Sequence, residues 1–288
     1  MRYVAPTSVA EVVALLAGDP EARVFAGATD LVPQLRAGRP EPSIAIDLKK
    51  IARLTEVSLE DGTWRIGAAA PTADLTGDAA LTADLPGLVH AGALIGSDQI
   101  QNRASLGGNL CNASPAADSV PALVVNDARA VVAGPGGERT VAVVDIPTGP
   151  GRTSLAPGEF IVCFEIDRPP ARTSDAYLRL IPRTEMDIAI VGAAARVTLD
   201  GDGNCAGAAI ALGAVAPTVV PVPAAARALV GEPITDGALA RVAAVCADAA
   251  NPIDDKRGTI TYRRQVAGVL AKRAVTEAAG RAGNGGGR

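Results

Sequence analysis

The strongest constraint on this chain is a switch of hydrophobic period within its first seventy residues. Val9, Val12, Val13 and Leu16 recur at helical spacing behind a Thr7 or Ser8 cap, and Gly18 stops the run. A short strand, Arg23-Val24-Phe25-Ala26, turns through Gly27 into a helical stretch over 30–37, and 44–48 reads as the next strand. Together these make a small β-α-β unit. From Thr55 the period falls to two, and 55–60 with 64–68 form a hairpin about Asp61-Gly62. Parallel and antiparallel pairing in succession, with helices between, points to the α+β class.

Further helices are expected near 72–75 and 85–95, whereas 99–115 carries glycines and shows no clear period. Strands are expected over 129–133, 140–144 and 160–166, with a Pro- and Gly-rich loop at 147–158. Asp167-Arg168-Pro169-Pro170 interrupts the pattern. Beyond it come strands over 176–180, 188–199 and 206–213, the last two joined by Asp200-Gly201-Asp202-Gly203. Helices over 223–230, 236–249 and 259–279 follow, and 282–288 reads as a flexible tail. The expected division is a domain at 1–172, with subdomains of about 1–54 and 55–172, and a smaller C-terminal domain at 173–281 with an antiparallel sheet and packed helices.

Composition narrows the function. With 27 Lys and Arg against 31 Asp and Glu there is no basic field for a nucleic-acid backbone. No apolar run reaches the ~20 residues of a membrane span, and no apolar signal core follows Met1, so the expectation is a soluble, cytoplasmic protein. Cys111, Cys163, Cys205 and Cys246 are too scattered for a metal or iron–sulfur site. His90 is the only histidine and lies in an apolar helical stretch. A chain with one His, one Trp, three Tyr and three Phe performs redox or group-transfer chemistry through a cofactor rather than through its side chains. No catalytic residue is expected.

Two segments stand apart from ordinary core and loop. Val24-Phe25-Ala26-Gly27-Ala28-Thr29-Asp30-Leu31 runs from strand through a tight turn into a helix, whose N-terminal N–H groups suit a phosphate and whose cap is Thr29 or Asp30. Read alone, it is first of all an ordinary structural turn. Ser105-Leu106-Gly107-Gly108-Asn109, with Ala113-Ser114-Pro115 and Asp118 beyond, offers adjacent glycines that permit positive φ and a nest of N–H groups. Ser105 and Asn109 add neutral donors, and Asp118 an acceptor for sugar hydroxyls; a polar turn is the alternative. Neither segment is a P-loop or a Rossmann fingerprint. Two phosphate-compatible loops without a lysine suggest a neutral cradle for a pyrophosphate.

Phe25 to Leu31, Ile100-Gln101-Asn102-Arg103 leading into Ser105 to Asn109, and Ala113-Ser114-Pro115 with Asp118 resemble the FAD-binding medium subunit of molybdenum hydroxylases of the xanthine and aerobic carbon monoxide dehydrogenase type. The likeness continues through Tyr177-Leu178-Arg179-Leu180-Ile181-Pro182-Arg183, Asp254-Asp255-Lys256-Arg257-Gly258 and Tyr262-Arg263-Arg264. It implies FAD between two α+β subdomains. The pyrophosphate would rest on N–H groups of Val24 to Leu31 and of Ser105, Leu106, Gly107, Gly108 and Asn109. Asp118 would hold the sugar-alcohol portion, Ile95 would lie against the cofactor, and Ile161 would pack on the isoalloxazine. Arg179 stands where many relatives have Lys, near the ring's polar edge. A cation there stabilises an anionic reduced flavin and raises its potential.

Ala28 departs from the Gly-Gly common in the family; a positive φ there would cost an Ala about 1 kcal/mol. The resemblance further implies an oxidoreductase subunit taking electrons from two-iron two-sulfur clusters of a small partner and passing them to NAD, a quinone or another acceptor. Molybdopterin would sit on a large partner, in a heterotrimer or its dimer, with no metal on this chain. The alternatives are a flavin-free scaffold subunit and a stand-alone flavin oxidoreductase.

Overall fold

The computed structural model describes residues 1–284. The first element is β1 (Arg2–Val4), followed by α1 (Val9–Gly18), β2 (Arg23–Phe25), α2 (Leu31–Arg36) and β3 (Ile44–Asp47). Ser8 caps α1 by accepting from the Glu11 N–H at 3.3 Å. The three strands form a parallel sheet in the order β1-β3-β2. The sequence shows β2, β3 and the helices between; β1 is three residues long and leaves no periodic trace.

After α3 (Ala52–Thr55) the chain forms the expected hairpin of β4 (Val57–Glu60) and β5 (Thr63–Gly67). Its turn residues Asp61 and Gly62 both take positive φ, 48° and 78°, as a two-residue hairpin requires. Four helices come next, α4 (Thr72–Gly77), α5 (Ala79–Asp84), α6 (Pro86–Ala93) and α7 (Asp98–Gln101). They are followed by α8 (Leu106–Cys111) and α9 (Ser119–Val125). The stretch 99–115 is thus largely helical, in pieces of four and six residues that are too short to display a period.

β6 (Arg129–Gly134), β7 (Gly137–Ala142), the short hairpin of β8 (Pro147–Gly149) and β9 (Arg152–Thr153), and β10 (Phe160–Asp167) complete this part. The expected loop at 147–158 therefore contains a small hairpin. Five strands make an antiparallel sheet in the order β4-β5-β10-β6-β7. One face packs on α4 to α9 through Trp64, Ile66, Leu88, Leu106, Leu123 and Phe164. The other receives Val12, Ile46 and Leu54 of the N-terminal unit against Phe160 and Val162.

The remainder is β11 (Thr173–Leu180), β12 (Val191–Leu199), β13 (Cys205–Gly213), β14 (Val220–Pro221), α10 (Pro223–Arg227), α11 (Asp236–Ala249) and α12 (Ile260–Asn284). The strands form an antiparallel sheet in that order. Small side chains on β12, Ala193 and Ala195 among them, let α12 pack closely over it, and α11 packs against α12. The helix α12 runs to Asn284 with Ala282 buried, so 282–284 is not a flexible tail. Positions 285–288 of that expectation lie outside the described residues.

Candidate functional site

A cleft of about 990 Å³ opens between the β2–α2 turn and α8. Val24, Phe25, Ala26, Gly27, Ala28, Thr29, Asp30 and Leu31 line one wall, and Ser105, Gly108 and Asn109 line the other beside Ile95. Two loops almost eighty residues apart in sequence therefore share one cavity. Its volume sits at the top of the range of about 300–1,000 Å³ for ligand clefts, a size that suits a dinucleotide.

The two walls meet through backbone. The Arg103 carbonyl oxygen lies so near Gly27 that a Cβ there would stand 1.9 Å from it. The Gln34 amide donates to Asn112 Oδ1 at 3.1 Å, tying α2 to the end of α8. Neither Gln34 nor Asn112 left a signal in the sequence; both are polar residues in short helices, and only the fold makes them neighbours.

Within the first wall, the N–H groups of Gly27, Ala28, Thr29, Asp30 and Leu31 find no protein acceptor among the described residues. A turn leading into the first turn of a helix leaves such amides unpaired, and five in succession beside a cleft suit an anion. Neither Thr29 nor Asp30 supplies the expected side-chain cap: Asp30 occupies the cap position without such a bond. Ala28 adopts φ +58°, the left-handed region.

The second wall differs from its sequence reading. Gly107 and Gly108 do not take positive φ; both lie in the first turn of α8. Gly107 is buried behind the wall, donating to the Ala68 carbonyl at 3.0 Å, and a Cβ there would stand 2.4 Å from that oxygen. Leu106 is fully buried. Gly108 faces the cleft, but its N–H donates to Ser105 Oγ at 3.1 Å, so this glycine contributes close approach rather than a free amide. Asn109 Oδ1 accepts from the Ser119 hydroxyl at 2.7 Å, which orients its side chain.

Asp118, Ile161 and Arg179 are not among the residues lining this cleft. Ile161 is on the central strand β10 and packs into the inner core. Asp118 is buried and its two oxygens are engaged, Oδ1 by the Tyr177 hydroxyl at 2.8 Å and Oδ2 by Arg179 at 2.6 Å. Burial pushes the Asp118 carboxyl up, while Arg179 and Tyr177 pull it back. The same burial, with Asp118 beside it, drives the Tyr177 hydroxyl well above its ordinary value. Arg179 sits on the edge strand β11 and is nonetheless buried, held as the partner of Asp118 rather than as a surface cation. His90 is exposed, with Nδ1 3.1 Å from the Tyr177 carbonyl.

Known proteins share this fold along nearly the whole chain. Residues 1–169 match the family described as the FAD binding domain in molybdopterin dehydrogenase, and residues 176–278 match the carbon monoxide dehydrogenase flavoprotein C-terminal domain. The chain is 31% identical to a xanthine dehydrogenase FAD-binding subunit of Escherichia coli O157:H7, over 98% of this chain and 97% of that one. It is 34% identical to the carbon monoxide dehydrogenase medium chain of Afipia carboxidovorans, over 98% of each. A solved Cu,Mo-CO dehydrogenase in its cyanide-inactivated form superposes with a TM-score of 0.93 at 33% identity, again over 98% of each chain. Quinoline 2-oxidoreductase from Pseudomonas putida 86 gives 0.91 at 31%. The chain belongs to the family of FAD-binding subunits of molybdopterin dehydrogenases, and is the FAD-carrying part of an oxidoreductase.

Proposed function

We propose that FAD lies in the cleft between the β2–α2 turn and α8, with its pyrophosphate on the amides of Gly27 to Leu31. The five unpartnered N–H groups are the observation that carries this reading. Their partial charges bind an anion without adding a formal charge of their own, and Arg23 and Arg39 line the same cleft. Gly108 lets the cofactor approach α8 closely, since a Cβ there would meet only Ser105 Oγ, at 3.3 Å, and would otherwise occupy the cleft. Ile95 supplies an apolar surface and Asn109 a fixed amide. Asp118, the chain neighbour of the Ser119 that donates to Asn109, holds the Arg179 guanidinium on the side of the C-terminal domain, where the ring's polar edge would lie.

The chemistry that FAD supplies when bound is electron carriage between one-electron and two-electron partners. This chain's residues bind and orient it and contribute no acid or base. We take the donor to be the two-iron two-sulfur clusters of a small partner and the source of electrons a molybdopterin centre on a large one. The chain's full-length match to medium chains and FAD-binding subunits supports such a heterotrimer, or its dimer. NAD, a quinone or another carrier would accept the electrons. Four unpaired cysteines suit a reducing compartment such as the cytoplasm.

The experiment is FAD titration of the flavin-stripped chain. Native protein should quench FAD fluorescence to saturation at one equivalent, and Gly108→Val should not, with both remaining folded by circular dichroism. Full occupancy in Gly108→Val would remove α8 from the site.

A further inference from the structure

Lys49 lies outside the cleft, in the turn after β3, and no part of the site as read from sequence includes it. Its ammonium donates to the Ala26 carbonyl at 2.7 Å and to Asp47 Oδ1 at 2.7 Å, and stands 5.1 Å from the centre of the Phe25 ring. Asp47 is itself buried, accepting also from the Lys49 N–H at 3.0 Å and, through Oδ2, from the Tyr3 hydroxyl at 2.9 Å. Three strands thus converge on one carbonyl: β1 gives Tyr3, β3 gives Asp47 and the lysine after it, and β2 leads into Ala26.

A peptide unit is planar and trans, so its C=O and N–H point in opposite directions. Whatever holds the Ala26 oxygen therefore aims the Gly27 N–H. The next alternate units of the turn are held in the same way, Ala28 oxygen by the Val32 N–H at 3.0 Å and Asp30 oxygen by the Gln34 N–H at 3.0 Å. Those two anchors come from α2 itself and form with any helix. The anchor on Ala26 comes from a side chain.

We infer that Lys49 is a positioning residue for the cofactor's pyrophosphate, fixing the Ala26–Gly27 peptide so that the first amide of the anion site faces the cleft. This rests on the placement of the pyrophosphate proposed above. The paired Asp47 neutralises the ammonium, so Lys49 acts through the direction of a peptide rather than as a counter-charge to phosphate. It touches neither substrate nor cofactor.

The test is fluorescence titration of the full, flavin-stripped chain with FAD and with riboflavin, which has the ring and ribityl chain but no phosphate. Lys49→Met should raise the FAD dissociation constant about tenfold, the size of one charge-assisted hydrogen bond. It should leave riboflavin binding unmoved, and Lys49→Arg should restore FAD binding. A general loosening of the fold would weaken both ligands together, and that result would overturn the inference, as would an unchanged FAD constant. If Lys49→Met does not fold, Lys49→Gln, uncharged and a methylene shorter, carries the same expectation and the same refutations. Should the native chain itself bind FAD no better than riboflavin, the pyrophosphate placement fails, and the role of Lys49 with it.

Discussion

A Cβ on Gly27 would stand 1.9 Å from a backbone oxygen, whereas one on Gly108 would meet only a side-chain oxygen at 3.3 Å. Two glycines that look alike in sequence therefore do different work. Gly27→Ala forces the two walls apart, and should destabilise the fold by about 1–3 kcal/mol, as overpacking does. Gly108→Ala should leave the urea midpoint nearly unmoved and act on FAD binding alone. Unfolding titrations of both variants decide between these expectations. Ala28 tests a finer balance. Its φ of +58° strains an L-residue by about 1 kcal/mol, but a glycine there gives back about 0.4–1 kcal/mol of unfolded-state entropy. Ala28→Gly should thus change stability by less than about 0.5 kcal/mol, while Ala28→Val, β-branched at a positive φ, should be clearly destabilised. This balance lets the chain keep an alanine at a positive φ.

Between elements, two carboxylates join pieces of chain that sequence distance separates, and they titrate in opposite directions. Burial raises the Asp47 carboxyl, but the bonds from Lys49 and Tyr3 outweigh it, and the net is below the ordinary 3.8. A depressed carboxyl contributes stability that is fully present above its unfolded value and lost as pH falls through the lower folded one. Asp47→Asn should accordingly be less stable than native protein at about pH 7, with the gap closing on acidification below about pH 4, measured as urea midpoints against pH. Asp175 is completely buried, and burial pushes its carboxyl up despite the bonds it accepts. It receives the N–H groups of Gly87 and Leu88 at the start of α6 at 2.8 and 2.9 Å, and the Asn126 amide at 2.7 Å. Asp175→Ala strands all three donors and should cost about 2–4 kcal/mol in unfolding free energy, read by chemical denaturation. Long elements such as α11 and the β4–β5 hairpin were legible because period and turn chemistry agree over many residues. The helices α7 and α8 were not, because one turn carries no period, although the Ser105 cap that starts α8 was in plain view. The positive φ that adjacent glycines permit is not used at Gly107 and Gly108, because both lie in that helix.

At the scale of the whole molecule, the two loops that the sequence singled out do share one cleft, so the residue types of the candidate site were readable. What they do there was less so. In the second loop capping and the Ala68 contact take up the Gly107 and Gly108 amides, and no local pattern announces a bond to a residue distant along the chain. Gln34, Asn112 and Lys49 went unseen for that reason, while Asp118 and Arg179 were seen but not as partners. The central claim is that the amides of Gly27 to Leu31 bind the cofactor. Hydrogen–deuterium exchange of the full chain with and without FAD, read on peptides spanning 24–37 and 103–112, tests it most directly. Bound FAD should slow exchange at Gly27 to Leu31 strongly and within α8 more weakly, since the Gly107, Gly108 and Asn109 amides are already bonded. Saturating FAD with unchanged exchange over 27–31 would contradict the account.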